Sequence, residues 1–151
     1  MPTDAAILGP ESVLIGCTAP DQADAITQVG NKLLELGAVE PGYLDAMHVR
    51  EKSVSTYLGE GVAIPHGTDE SRKFVKRTAL AILQFPAGVD WDGNDVRLCV
   101  GIAAKGSEQV GILSSLARIL MDSEQVKQLR EAPDAETILR LLNEVDEEFS
   151  R

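Results

Sequence analysis

Basic side chains are scarce in this sequence: Lys and Arg total 14 against 24 Asp and Glu, a formal charge of -10 at pH 7. Such a chain repels phosphate backbones, which excludes nucleic acid as a partner. The acidity suits encounter with a basic protein surface, although many proteins without a charged partner share it. Cysteine is nearly absent too. Cys17 and Cys99 form no Cys-x-x-Cys pair, so neither a zinc site nor a disulfide framework is indicated. Both read as small buried hydrophobes, Cys99 in the midst of a strand. Histidine is limited to His48 and His66, too far apart to build a zinc cage, and no metal or cofactor is called for. No apolar run approaches the roughly 20 residues of a membrane span. Met1-Pro2-Thr3-Asp4 lacks the basic stretch and apolar run of a secretion signal, so the expectation is a cytoplasmic protein without direct membrane insertion. There is no Gly-x-Ser-x-Gly elbow and no Walker loop, and Gly59-Glu60-Gly61 continues into a strand rather than a helix.

What is present is enough apolar side chain, 44% of 151 residues, for one continuous core, so residues 1–151 read as a single domain. The apolar period switches between about two and about 3.6 along the chain, the pattern of a mixed α/β domain. A short strand is expected over Val13 to Ile15, and Ala19-Pro20-Asp21 reads as a helix start. Ile26, Val29, Leu33 and Leu36 then follow at helical spacing, with Gly37 as the stop. A second helix opens at Pro41-Gly42, where proline's missing N–H costs nothing, and runs through Tyr43, Leu44 and Met47 towards Arg50. Ser55 to Gly61 reads as loop and Val62-Ala63-Ile64 as a brief strand that Pro65 ends. Ala79 to Phe85 and Val96 to Ala103 are nearly continuous in apolar residues, as strands covered on both faces are. Pro86-Ala87-Gly88 and Asp92-Gly93-Asn94 read as turns, with Trp91 folded back over the core. Three helices are expected after Ser107: Glu108 to Met121, Ser123 to Glu131 and Asp134 to Glu148.

His66 is the better placed of the two imidazoles for chemistry. It follows a stiff proline at a strand end and precedes glycine, which leaves one side of the ring open. A neutral imidazole can attack phosphorus and hold the phosphoryl group on nitrogen. Taken alone, the same position also fits a structural or merely exposed loop histidine. Arg50, near a helix end, reads on its own first as a solvated charge favourable to the helix dipole, although a planar guanidinium is also the side chain best shaped to clamp phosphoryl oxygens. Thr56 reads as a hydroxyl donor or, more simply, as a turn cap. His48 lies two residues before Arg50, which on a helix points the two side chains to different faces, and it is assigned to the surface.

The run Thr56 to Thr68, reading Thr-Tyr-Leu-Gly-Glu-Gly-Val-Ala-Ile-Pro-His-Gly-Thr, resembles the phosphorylation signature of mannitol/fructose-type IIA domains of the bacterial sugar phosphotransferase system. The likeness continues in order through Arg50-Glu51, through Gln84 to Trp91 and through Val100 to Lys105, and covers most of the chain. The Tyr-Leu-Gly wording and the Pro-His-Gly-Thr ending are closer to the mannitol branch. The resemblance implies an α/β domain with a central mixed sheet of about five strands flanked by helices on both sides. It implies a relay in which the phosphocarrier HPr donates to His66, which passes the phosphoryl group to a cysteine on the IIB domain of a mannitol-type IIB-IIC membrane transporter. His66 would be phosphorylated on Nε2, with Nδ1–H donating to a backbone carbonyl, and Arg50 matches the family's active-site arginine. HPr and IIB would dock in turn on one apolar recess around His66, rimmed by acidic residues.

One position departs from the family pattern. Where the family usually carries a second active-site histidine, this chain has Gln109, which can donate an amide hydrogen to a phosphoryl oxygen but cannot become cationic. An exposed helix-start glutamine is the alternative. A IIB reading fails because Cys17-Thr18-Ala19-Pro20-Asp21 offers no glycine cradle for phosphate oxygens. The rival from another class is a regulatory IIA-like domain whose phosphorylation state is read by a transcriptional or metabolic partner.

Overall fold

The computed structural model describes residues 7–105 and 108–142, with 108 and 109 described for their backbone only. Five strands form one mixed sheet in the order β1-β4-β5-β3-β2. They are β1 (Val13–Leu14), β2 (Tyr57–Gly59), β3 (Val62–Ala63), β4 (Ala79–Trp91) and β5 (Asn94–Ala103). β4 and β5 pair antiparallel at the centre, and β1 and β3 join them in parallel on either side. On one face lie α1 (Gln22–Glu35) and α2 (Gly42–Ser53); the other carries α3 (Glu108–Leu120), α4 (Ser123–Arg130) and α5 (Ala135–Leu141).

Alternation along the central strands divides the core between the two layers. Leu80, Ile82, Leu98, Val100 and Ile102 meet Ile112, Leu116, Leu129 and Ile138 on one side. Ala81, Leu83, Phe85 and Cys99 meet Val29, Leu33, Tyr43 and Met47 on the other. This two-sided burial is why β4 and β5 read as apolar runs rather than as alternating ones. Among the described residues, no helix is long and apolar enough to cross a membrane.

Local chemistry sets the ends of α1. The Asp21 carboxylate accepts the Asp24 N–H at 2.8 Å, capping orphan donors of the first turn. At the other end Gly37 takes φ +73, and the Ala38 N–H reaches back to Leu33 O at 3.0 Å, a glycine-terminated C-cap. α2 runs three residues beyond the expected Arg50, to Ser53.

Two readings of the sequence are corrected. Tyr57–Gly59, taken as loop, is an edge strand that pairs with β3 in a tight hairpin. Its two turn residues, Glu60 and Gly61, both have positive φ (56 and 80), the geometry that matches strand twist. Pro86-Ala87-Gly88, taken as a turn, lies inside β4 as a bulge: pairing jumps from Gln84↔Leu98 to Val89↔Val96. A proline is tolerated there because the bulge leaves its position without a ladder bond to make. The Asp92-Gly93 turn and the inward Trp91, fully buried, fall as expected. The last helix is described only to Leu141, and the part expected beyond 142 lies outside the described residues.

Candidate functional site

β3 delivers His66. Beyond Ala63 the chain stays beside β5: the Ile102 N–H donates to Pro65 O at 3.0 Å, and His66 forms a parallel bridge with Ile102. The ring folds back on its own strand, with Nδ1 2.8 Å from Ile64 O. A carbonyl only accepts, so Nδ1 must carry the hydrogen, and in the neutral ring the lone pair is then on Nε2. Nε2 has no partner among the described residues, and the one side-chain nitrogen or oxygen there that is sealed from solvent without a partner is Arg130 Nε. His66 lies on the wall of a recess.

The residue is nonetheless only 5% exposed, more enclosed than an open loop histidine. Burial is the main reason its pKa lies below the ordinary histidine value; the Ile64 hydrogen bond acts against this, Arg50 adds to the lowering, and Glu51 and Asp69 oppose it. At neutral pH the ring is uncharged, the form that can attack an electrophile.

The recess has a volume of about 260 Å³ and is lined by Val49, Arg50, Ser53, His66, Gly67, Thr68 and Asp69. It thus brings His66 and Arg50 together across 16 positions of sequence. Arg50 stands in the last turn of α2, where its Nη1 donates to Val54 O just past the helix end. That bond helps satisfy a C-terminal carbonyl and fixes the direction of the guanidinium. The acidic rim is represented by Asp69, whose carboxylate pairs with Arg72 at 2.9 Å, so its repulsion of an incoming phosphoryl group is muted. The hydroxyls of Ser53 and Thr68 were not singled out from the sequence. Thr68 closes the signature run itself, which was the available signal; nothing in the sequence marks Ser53 beyond its place three residues after Arg50.

Thr56 is not at this recess. It is 4% exposed and its hydroxyl donates to the Glu51 carboxylate, which also accepts the Thr56 N–H at 2.8 Å and Trp91 Nε1–H at 2.9 Å. The threonine anchors the chain leaving α2 rather than touching a ligand. Glu51, next to Arg50 in sequence and buried, was missed as the centre of this network. His48 faces away from Arg50 as its spacing requires, but it is half-buried against α1, with Nε2 3.0 Å from Thr27 Oγ1, rather than at the open surface. Gln109 falls in the first turn of α3, and its side chain lies outside the described residues. Cys99 is buried, and burial pushes its thiol well above the ordinary range; Cys17 is half-exposed.

Comparison with known proteins gives a consistent result. The family model described as "Phosphoenolpyruvate-dependent sugar phosphotransferase system, EIIA 2" matches residues 6–145. A mannitol-specific phosphotransferase enzyme IIA component of Halalkalibacterium halodurans is 42% identical over 141 residues, covering 93% of this chain and 97% of that protein. The crystal structure of IIA mannitol from Escherichia coli superposes with a TM-score of 0.83 at 37% identity, over 89% of this chain and 98% of that one. A structure of the complex of enzyme IIA and phosphorylated enzyme IIB for mannitol, also from Escherichia coli, gives 0.86 at 36% identity, over 91% and 97%.

Proposed function

Because this chain belongs to the EIIA type 2 family of the phosphoenolpyruvate-dependent sugar phosphotransferase system, we propose that His66 Nε2 accepts a phosphoryl group from phospho-HPr and passes it to a cysteine of a IIB domain, for mannitol uptake. The observation that supports this most directly is the Nδ1 contact to Ile64 O, which leaves the nucleophilic lone pair on Nε2 of a ring that lines one recess with Arg50. In the first step the Nε2 lone pair forms the new N–P bond as the donor's N–P bond breaks. Nδ1 keeps its hydrogen, so the substituted ring becomes formally cationic and the Ile64 carbonyl bond strengthens. In the second step the incoming thiolate takes the phosphorus and the electron pair returns to Nε2, restoring the neutral ring. No proton needs to cross the site.

Arg50 offers N–H donors to the equatorial oxygens, whose charge grows through a loose transition state. Gln109 adds a neutral amide donor from the start of α3, the role left to it without a cationic ring. The exposed Val49 beside the recess and Val54 just past α2, 59% and 62% accessible, offer the apolar contact on which HPr and IIB dock in turn. The same reading takes residues 1–151 as a single cytoplasmic domain serving a membrane transporter without entering the bilayer.

The test is incubation with phosphoenolpyruvate, enzyme I and HPr, mass mapping, and then addition of a mannitol IIB-IIC protein. Acid-labile phosphate on His66 that IIB discharges is the expected result. Phosphate on His66 that no sugar-specific IIB removes would replace transport by the regulatory role, and an unlabelled His66 would overturn both.

A further inference from the structure

Tyr43 does not line the recess, yet its hydroxyl is built into the chain that presents His66. The residue sits in the first turn of α2 and is 2% exposed. Its hydroxyl donates to Ile102 O at 2.8 Å and accepts the Gly67 N–H at 2.9 Å. In a parallel bridge between His66 and Ile102, one ladder bond runs from Ile102 N–H to Pro65 O, and it is made at 3.0 Å. The bridge's second bond joins Gly67 N–H to Ile102 O. The phenol oxygen bonds to both of those groups, so α2 clasps the bridge at its second bond.

We propose that Tyr43 is a positioning residue for His66: its hydroxyl, bonded to both Gly67 N–H and Ile102 O, clasps the bridge at His66 and holds the chain there so that the ring faces the recess. The inference rests on the phosphocarrier reading for its kinetic consequence, though not for its geometry. Three further observations fit it. Burial raises the Tyr43 pKa, with the Gly67 contact and Arg72 acting against this, so the group stays a hydroxyl, able to donate and accept at once. Gly67 is packed tightly against the Tyr43 side chain: a Cβ there would run into Ser71 Oγ and lie 2.6 Å from Tyr43 Cε1. The same helix carries Tyr43 in its first turn and Arg50 in its last, seven residues or about 10 Å along the axis. One rigid element thereby sets both the nucleophile's backbone and the cation that faces it.

The test is Tyr43→Phe in the full chain, which keeps the ring's packing and removes one oxygen. Without the hydroxyl, the bridge at His66 loses both of its hydrogen bonds to α2, and the ring moves with the chain. The expected result is a folded protein in which the His66 ring nitrogens and the Gly67 amide shift in ¹H–¹⁵N spectra, and kcat for phosphoryl uptake from phospho-HPr falls about 10- to 100-fold, as a displacement near one ångström would give. KM for phospho-HPr changes little, because the docking surface is untouched. Unchanged kcat and unchanged His66 signals in the folded variant would overturn the proposal and leave Tyr43 as packing. If the variant melts below assay temperature, a ring-fluorinated tyrosine at position 43 carries the test: its oxygen accepts more weakly, so the Gly67 amide and kcat must both move, and their constancy would sink the idea. Wild type that takes up no phosphoryl group would instead overturn the functional reading, while the spectra still report on the Tyr43 contacts.

Discussion

Glu51→Ala should destabilise the domain far more than an ordinary polar substitution. The carboxylate is 9% exposed and accepts from the Thr56 N–H at 2.8 Å, the Thr56 hydroxyl, Trp91 Nε1–H at 2.9 Å and Gln22 Nε2–H at 3.2 Å. The hydroxyl can rotate and the Gln22 amide can reach water, but the Thr56 and Trp91 N–H groups are buried with nowhere else to turn. Each orphaned donor costs about 1–3 kcal/mol, so with a charged acceptor lost the total is about 3–5 kcal/mol. For a chain of this length each kcal/mol lowers Tm by about 2–4 °C, which places the fall between about 6 and 20 °C. Glu51→Gln keeps one acceptor oxygen but sets an NH₂ group against the remaining donors, and should fall between the two. Calorimetry of the three proteins at pH 7 is the assay, with urea unfolding as a check on ΔG. A Glu51→Ala protein melting within about 2 °C of wild type would refute the reasoning, since a loss below 1 kcal/mol means those donors are not orphaned.

Four further outcomes can be measured. Arg50→Gln should leave Tm nearly unchanged, its side chain being half-exposed, yet slow phosphoryl uptake by about 10²–10³-fold, the usual worth of one transition-state donor; stopped-flow transfer from phospho-HPr measures it. Because burial holds the His66 pKa below its unfolded value of 6.5, phosphoryl uptake should stay flat as pH falls to 6.5 and decline only in more acid solution. The unfolded chain takes up this proton before the folded one, so His66 contributes stability that is present above pH 6.5 and is lost as pH falls towards the folded pKa; His66→Gln should flatten that part of the stability curve. Gln109→His, by restoring a group able to become cationic, should lengthen the lifetime of phospho-His66 in a decay assay, and an unchanged lifetime would make the position incidental.

How legible all this was in the sequence depended on the range of the interactions involved. His66 and Arg50 could be named because the signature run and its upstream Arg-Glu pair are contiguous patterns, and α1 because its cap at Asp21 and its stop at Gly37 are local chemistry. β2 was taken for loop since Tyr57–Gly59 is three residues long, ends in glycine, and gains its identity only by pairing with β3. Pro86-Ala87-Gly88 carries the composition of a turn, and only the pairing of β4 with β5 on both sides shows it to be a bulge. Thr56 was weighed as a site residue because nothing local reveals that Glu51, five positions earlier, turns back to hold it. The Glu51 contact to Trp91 spans 40 positions and the Tyr43 contact to Ile102 spans 59. Neither leaves a trace in periodicity, so the groups that hold the site were harder to read than those that act in it.

The central claim is that Ile64 O fixes the His66 ring with Nδ1 protonated and Nε2 free to take the phosphoryl group. Long-range ¹H–¹⁵N spectra of His66, recorded before and after phosphorylation by phospho-HPr, test it directly. The account predicts a neutral ring with hydrogen on Nδ1, then a phosphorus coupling on Nε2 with the Nδ1 hydrogen retained. A resting ring with its hydrogen on Nε2, or phosphorus bonded to Nδ1, would contradict it.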